Sequence, residues 1–279
     1  MATQTIQDQY VQVGNIKTRY WAMGDHGANV VMVHGLGGYI ENWALNIAAL
    51  GQHYRAYAVD LVGFGRTDKP DIAYSVSALA RFLRDFMETQ GMDRASLIGN
   101  SMGGGVALQF ALTYPDMVDR LVLVDSAGLG KEVTITLRLA STPLLGDLLT
   151  RPNRKGVEQL FREIIYDPAQ ITEEMIDLQY EMSALPGAQK SFLKTLRSMG
   201  TFFGVRSQFI DPILEGLPKI SAPTLVVWGQ QDKVLPVSQA HVAAEIIPNA
   251  QLHIFDPCGH VPQIERPEEF NKLVLEFLS

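Results

Sequence analysis

The stretch LIGNSMGGGVALQFALTYP, residues 97–115, constrains the fold more than any other part of the chain. It joins a mainly apolar run to an apolar helical pattern, and Ser101 stands between Gly99 and Gly103 in the pattern G-x-S-x-G. A strand that turns so sharply into a helix strains the backbone of the serine, and side chains at the two glycine positions would collide. Such strain costs about 1–3 kcal/mol and persists mainly at functional sites. The pattern therefore predicts a serine hydroxyl placed to attack.

Short β-branched runs recur along the chain and end in turn residues. Most are apolar throughout, as expected of strands buried on both faces of a parallel sheet. They occupy residues 30–35, 56–60, 95–101, 121–125, 224–229 and 251–256. Helical patterns separate most of them, which predicts βαβ units and helices on both faces of the sheet. Residues 10–24 instead alternate and carry Gly14-Asn15, which predicts an antiparallel hairpin at one edge.

Residues 130–214 interrupt this rhythm, because we find no convincing buried strand there. Helix-like blocks around residues 133–149, 156–166, 172–184 and 189–199 are separated by prolines and are rich in Leu, Met and aromatic residues. A helical subdomain with its own core and a lid over a pocket both fit this pattern. We therefore divide the chain into a core domain, residues 1–129 and 215–279, and a helical cap, residues 130–214.

Composition excludes several classes of protein. Hydrophobic residues make up 47% and charged residues 19% of the chain, which predicts a sizeable core, and the formal net charge is −7. No Lys/Arg cluster exceeds two residues, which argues against a nucleic-acid partner. No basic amphipathic helix is evident that would seat the protein on a membrane.

The compartment is predicted from what the sequence lacks. The segment MATQTIQDQYVQV has neither the basic nor the apolar region of a secretory signal. No apolar run approaches the roughly 18 residues that a membrane span needs. The single cysteine, Cys258, excludes an internal disulfide and fits a reducing compartment. We expect a cytoplasmic protein whose partner is a small-molecule ester or ketone substrate. The sequence leaves open whether the protein forms a homo-oligomer.

A serine hydroxyl near neutral pH needs a base that is held by an orienting acid. Of the six histidines, His260 follows the last strand and so lies at the carboxyl edge of the sheet, where Ser101 also lies. Two acids compete. Asp232 follows the strand at residues 224–229 and Asp125 ends an earlier strand, and the order Ser, Asp, His permits either. We favour Asp232, because its loop is short and stands beside the His260 turn.

A tetrahedral intermediate also needs donors for its oxyanion. The sequence offers the backbone N–H of Met102, at the start of the helix, and that of Leu36, in the glycine-rich loop HGLGG. Neither nucleotide-binding glycine pattern follows a first strand. No group of His, Cys, Asp and Glu has convincing metal-ligand spacing, so we expect no metal and no cofactor.

Taken together, the segments HGLGG, DLVGFGRTDKP, GNSMGG, WGQQD and CGHVPQIERPEEF resemble the α/β-hydrolase superfamily over nearly the whole chain. The resemblance implies a mostly parallel eight-stranded sheet flanked by helices, with an inserted helical cap. It also implies a triad of Ser101, Asp232 and His260, and an oxyanion hole formed by Leu36 and Met102. Dehalogenases and epoxide hydrolases of this fold carry an aspartate at the serine position, so Ser101 argues against both.

Within that superfamily, residues 99–130 and the segment LHIFDPCGH look most like the carbon–carbon hydrolases that split ring meta-cleavage products. This sequence departs from that family at the residues after Leu36, where Gly-Gly-Tyr replaces Gly-Pro-Gly, and after the histidine, where Val261 replaces a frequent tryptophan. Gln179 aligns with a cap arginine that holds the substrate carboxylate in the family. The resemblance implies that the positions contacting the substrate include Gly35, Gly37, Asn100, Gln179 and Val261.

These observations place ester hydrolysis first. A carboxylesterase-type serine hydrolase would cleave small esters through an acyl-enzyme, and the neutral Gln179 suits such a substrate better than an acid. The alternative is carbon–carbon cleavage of 2-hydroxy-6-oxo-dienoates by the same triad, with a different cap arginine supplying the charge; the candidates are Arg138, Arg162, Arg197 and Arg206. A lactonase and a non-catalytic receptor of the hydrolase fold rank below both.

Overall fold

The computed structural model describes residues 6–279. Part of the prediction about a secretory signal rests on residues 1–5, which lie outside the described residues. Within residues 6–279, no helix has both the length and the apolar character that a membrane crossing requires.

An eight-stranded sheet forms the centre of the molecule, in the order β1-β2-β4-β3-β5-β6-β9-β10, and a two-stranded hairpin, β7-β8, lies apart from it. The strands are β1 (Gln9–Val13), β2 (Ile16–Met23), β3 (Asn29–Val33), β4 (Arg55–Val59), β5 (Ala95–Asn100), β6 (Val118–Val124), β7 (Gly200–Thr201), β8 (Gly204–Val205), β9 (Thr224–Gly229) and β10 (Gln251–Phe255).

The pairing confirms both sheet predictions. β1 and β2 form the antiparallel edge hairpin, and β2 is also antiparallel to β4. From β4 to β10 all neighbouring strands are parallel. The carboxyl ends of β3, β5, β6, β9 and β10 therefore meet at one edge, and the segments that follow them are brought together there.

Helices cover both faces of this sheet. The helices of the described residues, including those of the cap, are α1 (Ile47–Leu50), α2 (Val76–Thr89), α3 (Met102–Thr113), α4 (Ile135–Ser141), α5 (Leu145–Leu149), α6 (Arg154–Ile164), α7 (Glu173–Ala184), α8 (Ala188–Met199), α9 (Ser207–Gly216), α10 (Ser238–Ile246), α11 (Pro262–Glu265) and α12 (Pro267–Leu278). One core cluster contains Phe86 of α2 and Phe110 of α3, and the other contains Ile47 of α1 and Phe270 of α12. The apolar strands are buried between the two clusters.

Helix α2 shows how the local sequence sets these elements. The Ser75 hydroxyl accepts a hydrogen bond from the Ala78 N–H, which satisfies one of the amides that a helix start leaves without a partner. Leu79, Leu83 and Phe86 then recur at helical spacing and are all buried. The helix therefore both starts and packs as its sequence pattern predicts.

Helices α4 to α8 and the β7-β8 hairpin lie between β6 and β9, where the sequence predicts a cap. The four helix-like blocks correspond to α4 with α5, to α6, to α7 and to α8, and the half-buried β7-β8 hairpin is an addition that the sequence did not predict. The predicted end of the cap at residue 214 falls inside α9 and not in a loop. Ile213 of α9 is fully buried in the same cluster as Leu108 of α3, so this helix shares the packing of the core domain.

The turn from β5 into α3 leaves no room for side chains at two glycines. A Cβ on Gly99 would lie 2.3 Å from the Gly103 carbonyl oxygen, and a Cβ on Gly103 would lie 2.2 Å from the Val33 carbonyl oxygen at the end of β3. The predicted steric requirement is confirmed. It extends beyond the turn itself, because Gly103 also lets α3 approach the neighbouring strand.

We expect Gly103→Ala to lower the free energy of unfolding by about 3 kcal/mol, because β3 or α3 must shift to admit the methyl group. Gly105→Ala is the matched control on the same helix. Its Cβ would meet Ala127 O at 3.3 Å, and we expect a change of less than about 1 kcal/mol, since alanine also favours the helix. Urea denaturation of both variants measures the difference. Equal stability of the two would contradict the close approach described for Gly103.

Candidate active site

Ser101 stands at the junction of β5 and α3 with φ 56° and ψ −120°. This is the strained conformation that the sequence pattern predicts for a serine in such a turn. Its N–H donates to the Val124 carbonyl, and its carbonyl accepts from the Ala127 N–H, each at 2.9 Å. The backbone of Ser101 is thus held by the end of β6 and the segment after it.

His260 and Asp232 form a buried pair at the same edge of the sheet. Nδ1 of His260 lies 2.8 Å from Oδ2 of Asp232, and the side chains are 6% and 0% exposed. The other carboxylate oxygen, Oδ1, accepts from the N–H groups of Val234 and Leu235 at 2.7 and 3.1 Å. Asp232 is therefore oriented by its own loop, and it can fix the ring and tautomer of His260 so that Nε2 acts as a base.

Of the two acids that the sequence left in competition, Asp232 is the one bonded to the imidazole. Asp125 is also fully buried nearby, but its Oδ1 accepts from the Gly229 N–H at 3.0 Å. The geometry thus supports Asp232 as the orienting acid.

The loop that carries His260 is held from three sides. The Asn100 amide donates to the carbonyls of His260 and Val124, at 3.1 and 3.2 Å, and so ties the residue before Ser101 to the histidine loop. The His260 N–H donates to Ile164 O of the cap at 2.7 Å. Glu265 accepts from the Gly259 N–H through Oε1 and from the cap residue Tyr166 through Oε2.

Glu265 is a residue whose role sequence reasoning missed. It lies within the quoted segment CGHVPQIERPEEF, five residues after the histidine, and its burial at 7% exposure is unusual for a glutamate. An acid at a fixed short distance after a catalytic histidine was the available signal. Its two oxygens join the histidine loop to the end of α6, so the position of the base depends on the cap.

The oxyanion donors that the sequence predicts face one cavity. Leu36, Met102 and Ser101 all line it. The Met102 N–H stands at the first position of α3, where an amide has no partner within the helix. Both residues thus lie beside Ser101 at one cavity, and their role as oxyanion donors stays a prediction.

His34 shapes the loop that carries Leu36. Burial lowers the pKa of His34 to about 4, so the ring is neutral near pH 7. The neutral ring can then donate from Nδ1 to Gly35 O at 2.8 Å and accept at Nε2 from the Leu61 N–H at 3.1 Å. Its predicted role in shaping the loop agrees with these contacts.

A cavity with an open mouth lies over Ser101. Most of its wall is aliphatic or aromatic and comes from the segment after β6, from the end of α8 and from Phe209 of α9. Arg138 of α4 is the one charged residue that lines it in the described part of the chain. Such a cavity suits a largely apolar substrate that carries one anionic group.

The five residues predicted to contact the substrate lie outside the wall of this cavity. Gly35 and Gly37 belong to the oxyanion loop, and a Cβ on Gly35 would lie 3.1 Å from Cβ of Ser101. Gln179 donates to Gly37 O at 3.2 Å. The Asn100 amide is engaged by backbone carbonyls, and Val261 is buried among cap residues such as Phe161. Across residues 6–279 none of the five lines the cavity over Ser101, and their contact with substrate stays a prediction.

The four cap arginines named from the sequence differ in their partners. Arg162 pairs with Glu158, and Arg197 pairs with Asp147. Arg206 donates from Nε to Arg197 O and lines a different, polar cavity. Arg138 donates from Nε to Phe202 O at 2.7 Å, and the described residues place no carboxylate within salt-bridge distance of it.

Asp125, Asp232 and His260 are also the side chains that come close enough to share a metal ion within residues 6–279. Their ligand atoms lie within 4.8 Å of one another. However, Asp232 and His260 are already bonded to each other, and Asp232 accepts from two amides. This arrangement is better suited to orienting a base than to binding a cation.

Comparison with known proteins gives consistent results. A family model described as alpha/beta hydrolase fold matches residues 28–267. A 2-hydroxy-6-oxo-6-(2'-aminophenyl)hexa-2,4-dienoic acid hydrolase from Metapseudomonas resinovorans is 36% identical over 276 residues, which cover 98% of this chain and 91% of the relative.

Solved structures with the same fold include carbon–carbon and ester hydrolases. A meta-cleavage product hydrolase from Pseudomonas fluorescens IP01 superposes with a TM-score of 0.84 at 34% identity and covers 97% of both chains. A membrane phospholipase A, described as a bacterial virulence factor, has a TM-score of 0.84 at 29% identity and covers 98% of this chain and 86% of its own.

We expect Ser101→Ala to keep the fold and to lose hydrolysis of a p-nitrophenyl ester, because the attacking oxygen is removed. Residual kcat should fall below about a hundredth of wild type, since triad losses are typically several decades. Circular dichroism verifies the fold, and a fluorophosphonate probe should label wild type but not the variant. Labelling of the variant at full rate would identify another nucleophile.

We expect Asp232→Asn to lower kcat by about a thousandfold or more, because the amide no longer fixes the tautomer of His260. Asp256→Asn is the matched control, as Asp256 is an exposed carboxylate after β10 that accepts from Gln231. Steady-state kinetics on the same ester compare the two. A similar loss of kcat in both variants would show that kcat depends on negative charge near the sheet edge and not on the bond between Asp232 and His260.

Proposed function

This chain belongs to the alpha/beta hydrolase fold family, and on that premise we propose that it is a carbon–carbon hydrolase of 2-hydroxy-6-oxo-dienoates. The observation that carries the proposal is the similarity, over 98% of the chain, to a hydrolase named for such a substrate. The alternative that ranked second from the sequence thereby becomes the leading one.

The reaction fits the groups at the site. In a 2-hydroxy-6-oxo-dienoate, the ketone at carbon 6 is the electrophile. Once the dienol has taken the keto form, the bond from carbon 6 to carbon 5 can break, because the released electron pair is delocalised into the unsaturated keto acid. The same serine chemistry that opens an ester can therefore open this bond.

Ser101 would attack the ketone while His260 takes its proton, and the N–H groups of Leu36 and Met102 would bind the resulting oxyanion. Collapse of this intermediate breaks the carbon–carbon bond, and the released carbon takes the proton that His260 accepted from Ser101, which leaves His260 neutral again. Water, deprotonated by His260, then hydrolyses the acyl-enzyme to a carboxylic acid. Asp232 keeps the ring oriented in both steps.

The substrate is an acid, and Arg138 is the residue suited to its charge. A carboxylate taken out of water under the cap is costly unless a charged donor pairs with it. Nε of Arg138 is held by Phe202 O, and the guanidinium carbon lies 5.7 Å from the centre of the Phe202 ring. The terminal nitrogens remain available for a bidentate contact.

From the sequence, esters rank first because the neutral Gln179 stands where the family resemblance implies an arginine, with Arg138 among the four cap arginines that could supply the charge instead. Gln179 is bonded to Gly37 O, and the positive charge comes instead from another cap helix, α4. A carboxylesterase of small esters is the second candidate, and the aliphatic wall of the cavity favours it. Lactone hydrolysis and non-catalytic ligand binding rank below these two functions.

We expect wild type to cleave a 2-hydroxy-6-oxo-dienoate with a higher kcat/KM than any short p-nitrophenyl ester. Arg138→Gln should lower kcat/KM for the dienoate by about 10- to 100-fold, mostly through KM, since it removes a charged hydrogen-bond donor. Its effect on ester cleavage should be small. Arg162→Gln is the control, as its partner Glu158 is an exposed neighbour on the same helix.

The panel separates the candidates because both substrates are measured on the same preparations. Faster cleavage of an ester than of the dienoate by wild type would favour the carboxylesterase. An equal loss on both substrates in Arg138→Gln would assign Arg138 to the packing of the cap. If wild type bound the dienoate without cleaving it, the result would favour a non-catalytic receptor of the hydrolase fold.

A further inference from the structure

Asp125 is a buried carboxyl group that the reaction described above does not use. It follows β6 directly, and its N–H donates to Val227 O of β9 at 2.9 Å. Its φ of 42° places a non-glycine residue in the left-handed region, and none of its surface is exposed. Such a conformation costs free energy and persists mainly at functional sites.

The hydrogen bonds of Asp125 are incomplete. Oδ1 accepts from the Gly229 N–H at 3.0 Å, but Oδ2 is buried and no donor within residues 6–279 reaches it. A carboxylate oxygen of Asp125 lies within 4.8 Å of a carboxylate oxygen of Asp232 and of a ring nitrogen of His260. An ionised Asp125 would therefore combine a charge without sufficient donors with a charged neighbour, and both are costly in a buried place.

A count of donors indicates which of the two carries the charge. Asp232 receives three, from two backbone amides and from Nδ1 of His260, whereas Asp125 receives one. A proton shared by two touching carboxyl groups resides on the group whose ionised form has fewer donors.

The surrounding charges act in the same direction. Burial raises the pKa of Asp125 well above its usual range, and the negative charges of Asp232 and Glu265 raise it further, while the bond from the Gly229 N–H lowers it. Of the titratable groups near Asp125 within residues 6–279, Asp232 and Glu265 are carboxylic acids, Cys258 is a thiol, and His260 is the one that can become a cation.

We propose that Asp125 is a positioning residue: it remains a neutral carboxylic acid and donates a hydrogen bond from Oδ2 to the Asp232 carboxylate. This gives Oδ2 a partner and gives Asp232 a fourth donor. Asp232 is then held by Asp125 as well as by its own loop and by His260. The inference rests on the triad of the proposed function, but not on the identity of the substrate.

The protonation state has a direct test that needs no substrate. Infrared difference spectra between wild type and Asp125→Asn should show, at neutral pH, the carbonyl band of one protonated carboxyl group in wild type alone. Asp256→Asn, which alters an exposed carboxylate, should show no such difference. A spectrum that lacks the band for Asp125 would overturn the proposal.

The positioning role is measured by the rate at which a fluorophosphonate labels Ser101. Asp125→Asn keeps a donor for Asp232 and an acceptor for the Gly229 N–H, so its rate should stay within about threefold of wild type. Asp125→Ala loses both, and its rate should fall about 10- to 100-fold. The acidic limb of its pH profile should also move to higher pH, because an Asp232 with one donor fewer interacts more strongly with protonated His260.

Thr224→Val is the control for a merely structural effect. Thr224 is buried at the other end of β9, where its hydroxyl donates to Ala222 O at 2.9 Å. This variant should lower the melting temperature without moving the pH profile. If Asp125→Asn were as slow as Asp232→Asn, Asp125 would be an ionised orienting acid and the proposal would be wrong.

Two further experiments separate this inference from metal binding and from the proposed carbon–carbon reaction. If a chelator slowed labelling and Zn²⁺ restored it, Asp125, Asp232 and His260 would hold a metal, which would also overturn the proposal. Failure of the dienoate assay with normal labelling would reject the carbon–carbon reaction but leave this inference standing. The infrared band remains informative even if Asp125→Ala does not fold.

Discussion

The absence of a Cβ at Gly103 is the constraint on which the rest of the site depends. A methyl group there would lie 2.2 Å from the backbone of β3, so helix α3 reaches its position only with glycine at this point. Gly103 is the second residue of α3, so its close approach to β3 also fixes the Met102 amide and the strained Ser101 against the neighbouring strands. Serine at this turn therefore costs conformational free energy that the packing of a large core offsets.

The second determinant of the site is the distribution of charge under the cap. Two carboxyl groups and one histidine meet in a space from which water is excluded, and the arrangement is stable only if few of them are ionised. The amides that follow β9 select Asp232 as the charged member. Around them, neutral groups such as the Asn100 amide and the backbone of Ile164 hold the histidine loop without adding charge.

The cap holds the histidine loop as well as lining the cavity over Ser101. Glu265 and His260 are both bonded to the end of α6, so the cap and the base form one unit. Arg138 brings a positive charge to a cavity whose other lining residues are uncharged. This charge lies on α4, whereas residue 179 on α7 is a neutral glutamine.

Local sequence by itself determined the strands, most helices and the hairpin, and it singled out the candidate nucleophile and base. Each of these depends on residues close together along the chain: apolar runs, helical spacing, and the glycines on either side of Ser101. Tertiary structure decided which acid contacts His260, because Asp125 and Asp232 both follow parallel strands and their sequence order permits either. It also decided that α9 belongs with the core, that Asn100 and Val261 pack within the protein, and that Arg138 lines the cavity. The reason is physical: burial, charge and hydrogen-bond partners at this site come from segments more than a hundred residues apart, and only the folded chain brings them within bonding distance.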